Sequence, residues 1–219
     1  MEADVGGDFL DAFALPQGLV ALTVADASGK GLNAAVRTLQ VKNVLRAFAR
    51  EYPFCPNQVI SRLNDYVCDT LTYDGSKDDY YFGGFVCMAL AIFDPTTGEG
   101  SVVSAGCEPA TVLASDGAIT SFHSHGLPLG IQRATRYQIA PLHLKRGDTL
   151  LLSTDGITEA RARPGGDFLG YSGMLALAQR YRHAACVRQM AAGILDGARE
   201  FGGGVLRDDA CLLIARKEP

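Results

Sequence analysis

Apolar positions along the chain change period several times. Leu150-Leu151-Leu152-Ser153-Thr154 is a short unbroken apolar and β-branched run, opened by the turn signal Gly147-Asp148 and halted by Asp155-Gly156. Such a run reads as a buried strand that carries a carboxylate to its rim. Thr158-Glu159-Ala160-Arg161 predicts the opening of a helical turn just beyond it. Gly18 to Ala25 is a second buried strand by the same signal, and it too ends on an aspartate, in Asp26-Ala27-Ser28-Gly29-Lys30-Gly31. From Leu32 to Ala49 the period lengthens. Leu32, Val36, Leu39, Val41, Val44, Leu45 and Phe48 recur at helical spacing and predict one long amphipathic helix, with Arg37, Lys42, Arg46 and Arg50 mostly off the stripe. Val59, Ile60, Leu63, Val67 and Leu71 mark a second helix with Pro56 in its first turn.

Thr72 to Tyr81 is polar and acidic and reads as a loop. Strand-like runs follow at Gly84 to Phe93 and Gly100 to Ala105, and the short link between them favours antiparallel pairing. Further strands are predicted at Ala110 to Leu113, Ala118 to Phe122, Tyr137 to Leu144 and Ala210 to Arg216, with helices at about Gly173 to Tyr181 and Cys186 to Phe201. Near the start, Gly6-Gly7 before Asp8 suggests a bulge or close backbone approach that aims the carboxylate. No strand precedes this stretch, so the chain reads as a domain cut from a longer protein.

With 219 residues and 47% hydrophobic content, the chain closes one core and forms one domain. A net charge of -4 and the lack of a Lys/Arg run exclude a nucleic-acid surface, which needs cations for phosphate. Phe85 to Phe93, the longest apolar run, is too short to span a bilayer, and Glu2 and Asp4 stand where a secretion signal would carry cations. The expectation is a cytoplasmic protein with no membrane contact. Cys55, Cys68, Cys87, Cys107, Cys186 and Cys211 show no C-x-x-C spacing and read as free thiols, with Cys87 and Cys211 buried in strands. His123, His125 and His143 lack metal-binding spacing and read as solvated loop residues.

The candidate chemistry lies in the aspartates. Asp8, Asp26, Asp155 and Asp208 each sit at the edge of an apolar segment beside glycine or another aspartate, and Asp209 follows Asp208 directly. The loop after Asp26 is not a phosphate-binding P-loop, because Gly31 stands where Ser or Thr must reach magnesium and Val24 where the first glycine belongs. No serine or cysteine is paired with a base. An all-oxygen carboxylate set suits Mg2+ or Mn2+, and two such ions about 3.5–4 Å apart would activate a water for in-line attack on phosphorus.

These segments together resemble the PPM (PP2C-like) serine/threonine phosphatases, in particular the bacterial SpoIIE/RsbU-type branch. The resemblance rests on A-D-V-G-G-D-F (Ala3 to Phe9), D-A-S-G-K-G-L-N-A-A (Asp26 to Ala35), G-L-P-L-G (Gly126 to Gly130), G-D-T-L-L-L-S-T-D-G-I-T-E-A-R (Gly147 to Arg161) and R-D-D-A (Arg207 to Ala210). They run from end to end in the family's order. Two departures stand out: the strand expected before Ala3 is missing, and Gly106-Cys107-Glu108-Pro109 replaces the usual G-H-x-P.

The resemblance implies an α+β fold, an α-β-β-α sandwich of two mainly antiparallel sheets flanked by helical layers. It implies that residues 1–219 form one PP2C-like domain lacking its first strand. Two Mn2+ or Mg2+ ions are implied, with Asp26 bridging them, the Ala27 carbonyl contributing, and Asp8, Asp155 and Asp208 completing the shell. Asp209 is the alternative to Asp208. The implied substrate is a phosphoserine or phosphothreonine protein such as an anti-sigma-factor antagonist, and a regulatory or sensor domain would dock near the Leu32 to Leu71 helix pair. A homodimer stays open. So do two other functions: a pseudophosphatase that binds a phosphorylated partner without turnover, and an output module with no metal dependence.

Overall fold

The computed structural model describes residues 6–29, 31–72, 84–123 and 126–218. The loop expected from Thr72 to Tyr81 lies outside them from residue 73 on, as do His125, Lys30 and the Ala3 to Val5 part of the first motif.

Among the described residues nine strands form two antiparallel sheets. The first holds β1 (Asp8–Ala14), β2 (Val20–Ala27), β3 (Val86–Phe93), β4 (Glu99–Ala105) and β7 (Ile139–His143), in that order across the sheet. The second holds β6 (Ile119–Phe122), β5 (Ala110–Leu113), β8 (Thr149–Ser153) and β9 (Leu212–Arg216). Helices α1 (Leu32–Glu51) and α2 (Pro56–Thr72) cover the first sheet, and α3 (Asp155–Thr158), α4 (Gly170–Arg180) and α5 (Val187–Phe201) cover the second.

Three apolar cores separate the layers. Val41, Leu45, Ile60 and Leu63 of the helix pair meet Phe9, Met88 and Leu90 of the first sheet. Val24, Ala89 and Val102 meet Val112, Leu150 and Leu152 between the sheets. Leu113 and Leu151 of the second sheet meet Met174, Met190 and Ile194 on its helices. The sandwich of the PP2C-like fold is therefore present, layer by layer.

Of the bulge or close backbone approach expected at Gly6-Gly7, the structure shows the close approach, of Gly7 to the Ala27 carbonyl, and Asp8 opens a regular strand, β1, that the pattern did not predict. It alternates strictly, with Phe9, Asp11 and Phe13 buried and Leu10, Ala12 and Ala14 exposed. A buried aspartate at the centre hides the alternation. Asp11 is 6% exposed and is satisfied by two bonds from the Arg46 guanidinium, Nε to Oδ2 at 2.7 Å and Nη2 to Oδ1 at 2.8 Å, with Lys42 Nζ at 3.7 Å. Arg46 holds the Asp11 carboxyl below the usual range, aided by the Lys42 charge.

The predicted stripe of α1 also splits. Val41 and Leu45 are buried, whereas Leu32, Val36 and Leu39 are 75%, 47% and 60% exposed. Helix packing uses only part of an apolar stripe, and the side facing away from the sheet keeps the rest in water. Other corrections are local. The helical turn expected to open at Thr158 instead closes there, because Thr154 leaves β8 in extended conformation and Asp155 starts α3. His143 belongs to β7 and pairs with Glu99 across the sheet, Nδ1 to Oε1 at 2.6 Å. All six cysteines are free, but Cys87 and Cys211 are half-buried and Cys186 is exposed, so full burial applies to Cys68 alone.

Candidate metal centre

Register places the first two carboxylates. In the β1–β2 ladder Asp8 lies opposite Asp26, and in the β2–β3 ladder Asp26 lies opposite Cys87 and Ala27 opposite Val86. A direct cross-strand pair brings side chains together on one face, and like charges there repel. The second sheet supplies the others. β8 ends at Ser153, paired with Leu212 of β9, so Asp155 just past β8 stands beside Asp208 and Asp209 just before β9.

The two sheets meet at this edge. Gly7, Asp8, Asp26, Ala27, Ser28, Gly29, Asp155, Asp208 and Asp209 line one cleft of about 140 Å3. Every predicted site residue is thus brought to the same cleft, including both Asp208 and Asp209. Two glycines permit the approach. A Cβ on Gly7 would run into the carbonyl oxygen of Ala27, and one on Gly156 into the carbonyl oxygen of Asp209.

Thr154, which the sequence reading did not single out, links the halves of the site. Its hydroxyl donates to Asp8 Oδ2 at 2.6 Å and accepts from the Cys211 amide at 2.9 Å, and the residue is fully buried. It joins β1 of one sheet to β8 and β9 of the other. The only signal in the sequence is a hydroxyl next to Asp155, which is too common to stand out. A second cavity of about 290 Å3 adjoins Asp26 and Asp155 and is lined by Cys87, Cys107, Glu108 and Glu159. There the Thr158 hydroxyl donates to Glu108 Oε1 at 2.6 Å.

The electrostatics follow from the crowding. Burial, the hydrogen bond and charge of Asp8, and the charges of Asp155 and Asp208 push Asp26 up to about 7. Burial also raises Asp8, opposed by the Thr154 hydroxyl and reinforced by Asp209 and Asp155. Asp155 is raised by burial and by Asp208. A proton shared between Asp8 and Asp26 would relieve this crowding, because two ionised carboxylates in contact are costly. The neighbouring thiols are held neutral: burial pushes Cys87 and Cys211 up to about 12, and the carboxylates add to it.

This donor set fits a hard divalent cation. It is all oxygen, it repels itself, and a cation would relieve that repulsion directly. Among the described residues no three His, Cys, Asp or Glu side chains already converge on a point that could seat an ion. The carboxylates line the cleft without meeting at one point.

The sequence profile of the SpoIIE family, Stage II sporulation protein E, matches residues 16–218. The chain is 26% identical over 221 residues to Protein IcfG of Synechocystis sp., covering 90% of this chain and 34% of that one. It is 27% identical over 198 residues to phosphoserine phosphatase RsbU of Bacillus subtilis, covering 90% of this chain and 55% of that one. It thus spans about a third and about half of the lengths of these two relatives. In three dimensions it is similar to the SiaA-PP2C domain of Pseudomonas aeruginosa, with a TM-score of 0.81 and 17% identity over 97% of this chain and 81% of that one. With the profile spanning nearly all of its length, the chain belongs to the SpoIIE family, and its two-sheet sandwich has the fold of a PP2C domain.

Proposed function

We propose that this chain is a metal-dependent protein phosphatase that hydrolyses phosphoserine or phosphothreonine in a bacterial regulatory protein, such as an anti-sigma-factor antagonist, in the cytoplasm. The observation that carries the proposal is the convergence of five aspartates from two sheets on one cleft, where burial and the neighbouring carboxylates push Asp26 up to about 7. Asp8, Asp26, the Ala27 carbonyl, Asp155 and Asp208 would hold two Mn2+ or Mg2+ ions, with Asp209 the alternative to Asp208. When bound, such ions lower the pKa of water and offset charge on the phosphoryl oxygens.

The chain's own groups set the geometry for this. Asp26, flanked by Asp8 on one side and facing Asp155 and Asp208, is the carboxylate shared between the sheets. The Thr154 hydroxyl fixes which Asp8 oxygen turns inward, since Oδ2 accepts its proton. The thiols of Cys87 and Cys211 near the cleft do not compete as nucleophiles, because burial keeps them protonated at neutral pH.

We further propose that residues 1–219 are one phosphatase domain of a longer protein. Leu10 shares the inner face of the first sheet with Val24 and Leu22, yet it is 45% exposed, and Ala12 and Ala14 beside it are exposed too. A further strand, beyond those among the described residues, would cover that inner face. The exposed Leu32, Val36 and Leu39 of α1 support docking of a regulatory or sensor domain on the helix pair.

The test is hydrolysis of an aryl phosphate by the purified chain across a Mn2+ titration, beside Asp26→Asn. Wild type should turn over in proportion to ion occupancy, and Asp26→Asn should lose at least about a hundredfold. A wild type inactive at every Mn2+ concentration would point to a binding module. Turnover by Asp26→Asn within about threefold of wild type would remove Asp26 from the site.

A further inference from the structure

Helix α1 faces β1 with three polar side chains one turn apart, Thr38, Lys42 and Arg46. Lys42 and Arg46 both reach Asp11. Thr38 reaches the backbone instead: its hydroxyl donates to the carbonyl oxygen of Gly7 at 2.7 Å, across 31 positions of sequence. A threonine inside a helix commonly bonds its own preceding turn, as Thr70 does to the carbonyl of Tyr66 at 3.1 Å. Thr38 makes a tertiary bond at the point where the cleft is assembled.

The Gly7 carbonyl is shared. It also accepts the amide of Ala27, at the longer distance of 3.2 Å. Gly7 precedes Asp8 and packs so closely on the Ala27 carbonyl that no side chain fits between them. The Arg37 guanidinium, from the same turn of α1, donates to the carbonyl of Ser28 at 3.3 Å, one residue further along.

We infer that Thr38 is a positioning residue of the cleft: its hydroxyl holds the Gly7 carbonyl and, through it, both the Asp8 carboxylate and the Ala27 peptide. Without that donor, the Gly7 carbonyl keeps, among the described residues, the long bond from the Ala27 amide. Rotation of this peptide turns Asp8 on one side and presses on the Ala27 carbonyl on the other. Two of the proposed ligands therefore depend on a hydroxyl that touches no ion and no substrate. The inference rests on the metal reading of the cleft given above.

The experiment compares Thr38→Val, which keeps the shape and removes the donor, with Thr38→Ser, which restores it. Calorimetric titration with Mn2+ gives the dissociation constant, and hydrogen exchange of the Ala27 amide reports the shared carbonyl with no ion present. Thr38→Val should weaken Mn2+ binding about three- to tenfold, the loss of one hydrogen bond's net contribution. It should also speed exchange at Ala27, and Thr38→Ser should recover both. Thr23→Val is the control, since Thr23 is fully buried and donates to the carbonyl of Ala89 at 2.8 Å within the same sheet. It should lower the melting temperature and leave the dissociation constant unchanged.

Should Thr38→Val not yield folded protein, Thr38→Ala against Thr38→Ser carries the same comparison. Equal Mn2+ affinity with and without the hydroxyl overturns the positioning role, and so does an equal loss in Thr23→Val. A wild type that binds no Mn2+ overturns the metal reading instead, a distinct result.

Discussion

Ion binding should report the protonation of Asp26. Burial and the neighbouring carboxylates push it up to about 7, so it is ionised to about one tenth at pH 6, one half at pH 7 and nine tenths at pH 8. A divalent cation binds the carboxylate form and must displace the proton. The apparent Mn2+ dissociation constant should therefore be about tenfold weaker at pH 6 than at pH 8, with the steepest change below pH 7. Each binding event should release about 0.9 proton at pH 6, about 0.5 at pH 7 and about 0.1 at pH 8. Calorimetry in two buffers of different ionisation enthalpy measures both quantities at once. The sign for folding is opposite to that of an ordinary salt-bridged carboxylate. A folded pKa above the unfolded one means that the native state holds the extra proton between about pH 4 and pH 7, so the metal-free fold loses stability as pH rises through that window. Mn2+ should reverse this trend, and Asp26→Asn should remove it. A dissociation constant constant from pH 6 to pH 8, or no proton release at pH 6, refutes the shared-proton account of Asp8 and Asp26.

Two substitutions test the rest of the cleft. At a free Mn2+ concentration near one hundred times its dissociation constant, each occupied site adds about 2.7 kcal/mol to the folded state; wild type should melt higher accordingly and Asp155→Asn should lose most of the rise. Asp116→Asn, in a surface turn where Asp116 Oδ1 accepts the Ala118 amide at 2.9 Å, should keep the full shift, and equal responses from the two variants mean nonspecific binding. Gly7→Ala forces a methyl group onto the Ala27 carbonyl, so it should abolish the Mn2+ thermal shift while circular dichroism still reports a folded chain; a full shift in that variant shows that the close approach is dispensable.

Much of this protein is legible from local pattern. Asp26 and Asp155 could be found because each follows a short apolar and β-branched run, and the glycine and turn signals that flank such a run mark it as a strand. The helix pair, the β3–β4 hairpin and the last strand could be found for the same reason, since period and turn chemistry are properties of neighbouring residues. The aspartate set pointed to hard cations before any geometry was known, because donor chemistry belongs to the side chain itself.

What depended on the tertiary structure is everything that joins residues distant in sequence. β1 was hidden because Asp11 occupies a core-facing position, and only Arg46 and Lys42, on a helix more than thirty residues away, make that position tolerable. Leu32, Val36 and Leu39 share the helical period of Val41 and Leu45, and which side of the helix meets the sheet was decided by how α1 lies on β1 and β2. Thr154 and Thr38 carry no mark in the sequence, since a hydroxyl becomes a positioning group only when a partner arrives from elsewhere in the chain. The pKa of Asp26 likewise is no property of its own segment. It comes first from burial at the edge where the two sheets meet, then from Asp8 across the ladder and from Asp155 and Asp208 on the other sheet, and charges interact through space irrespective of the order in which the chain presents them.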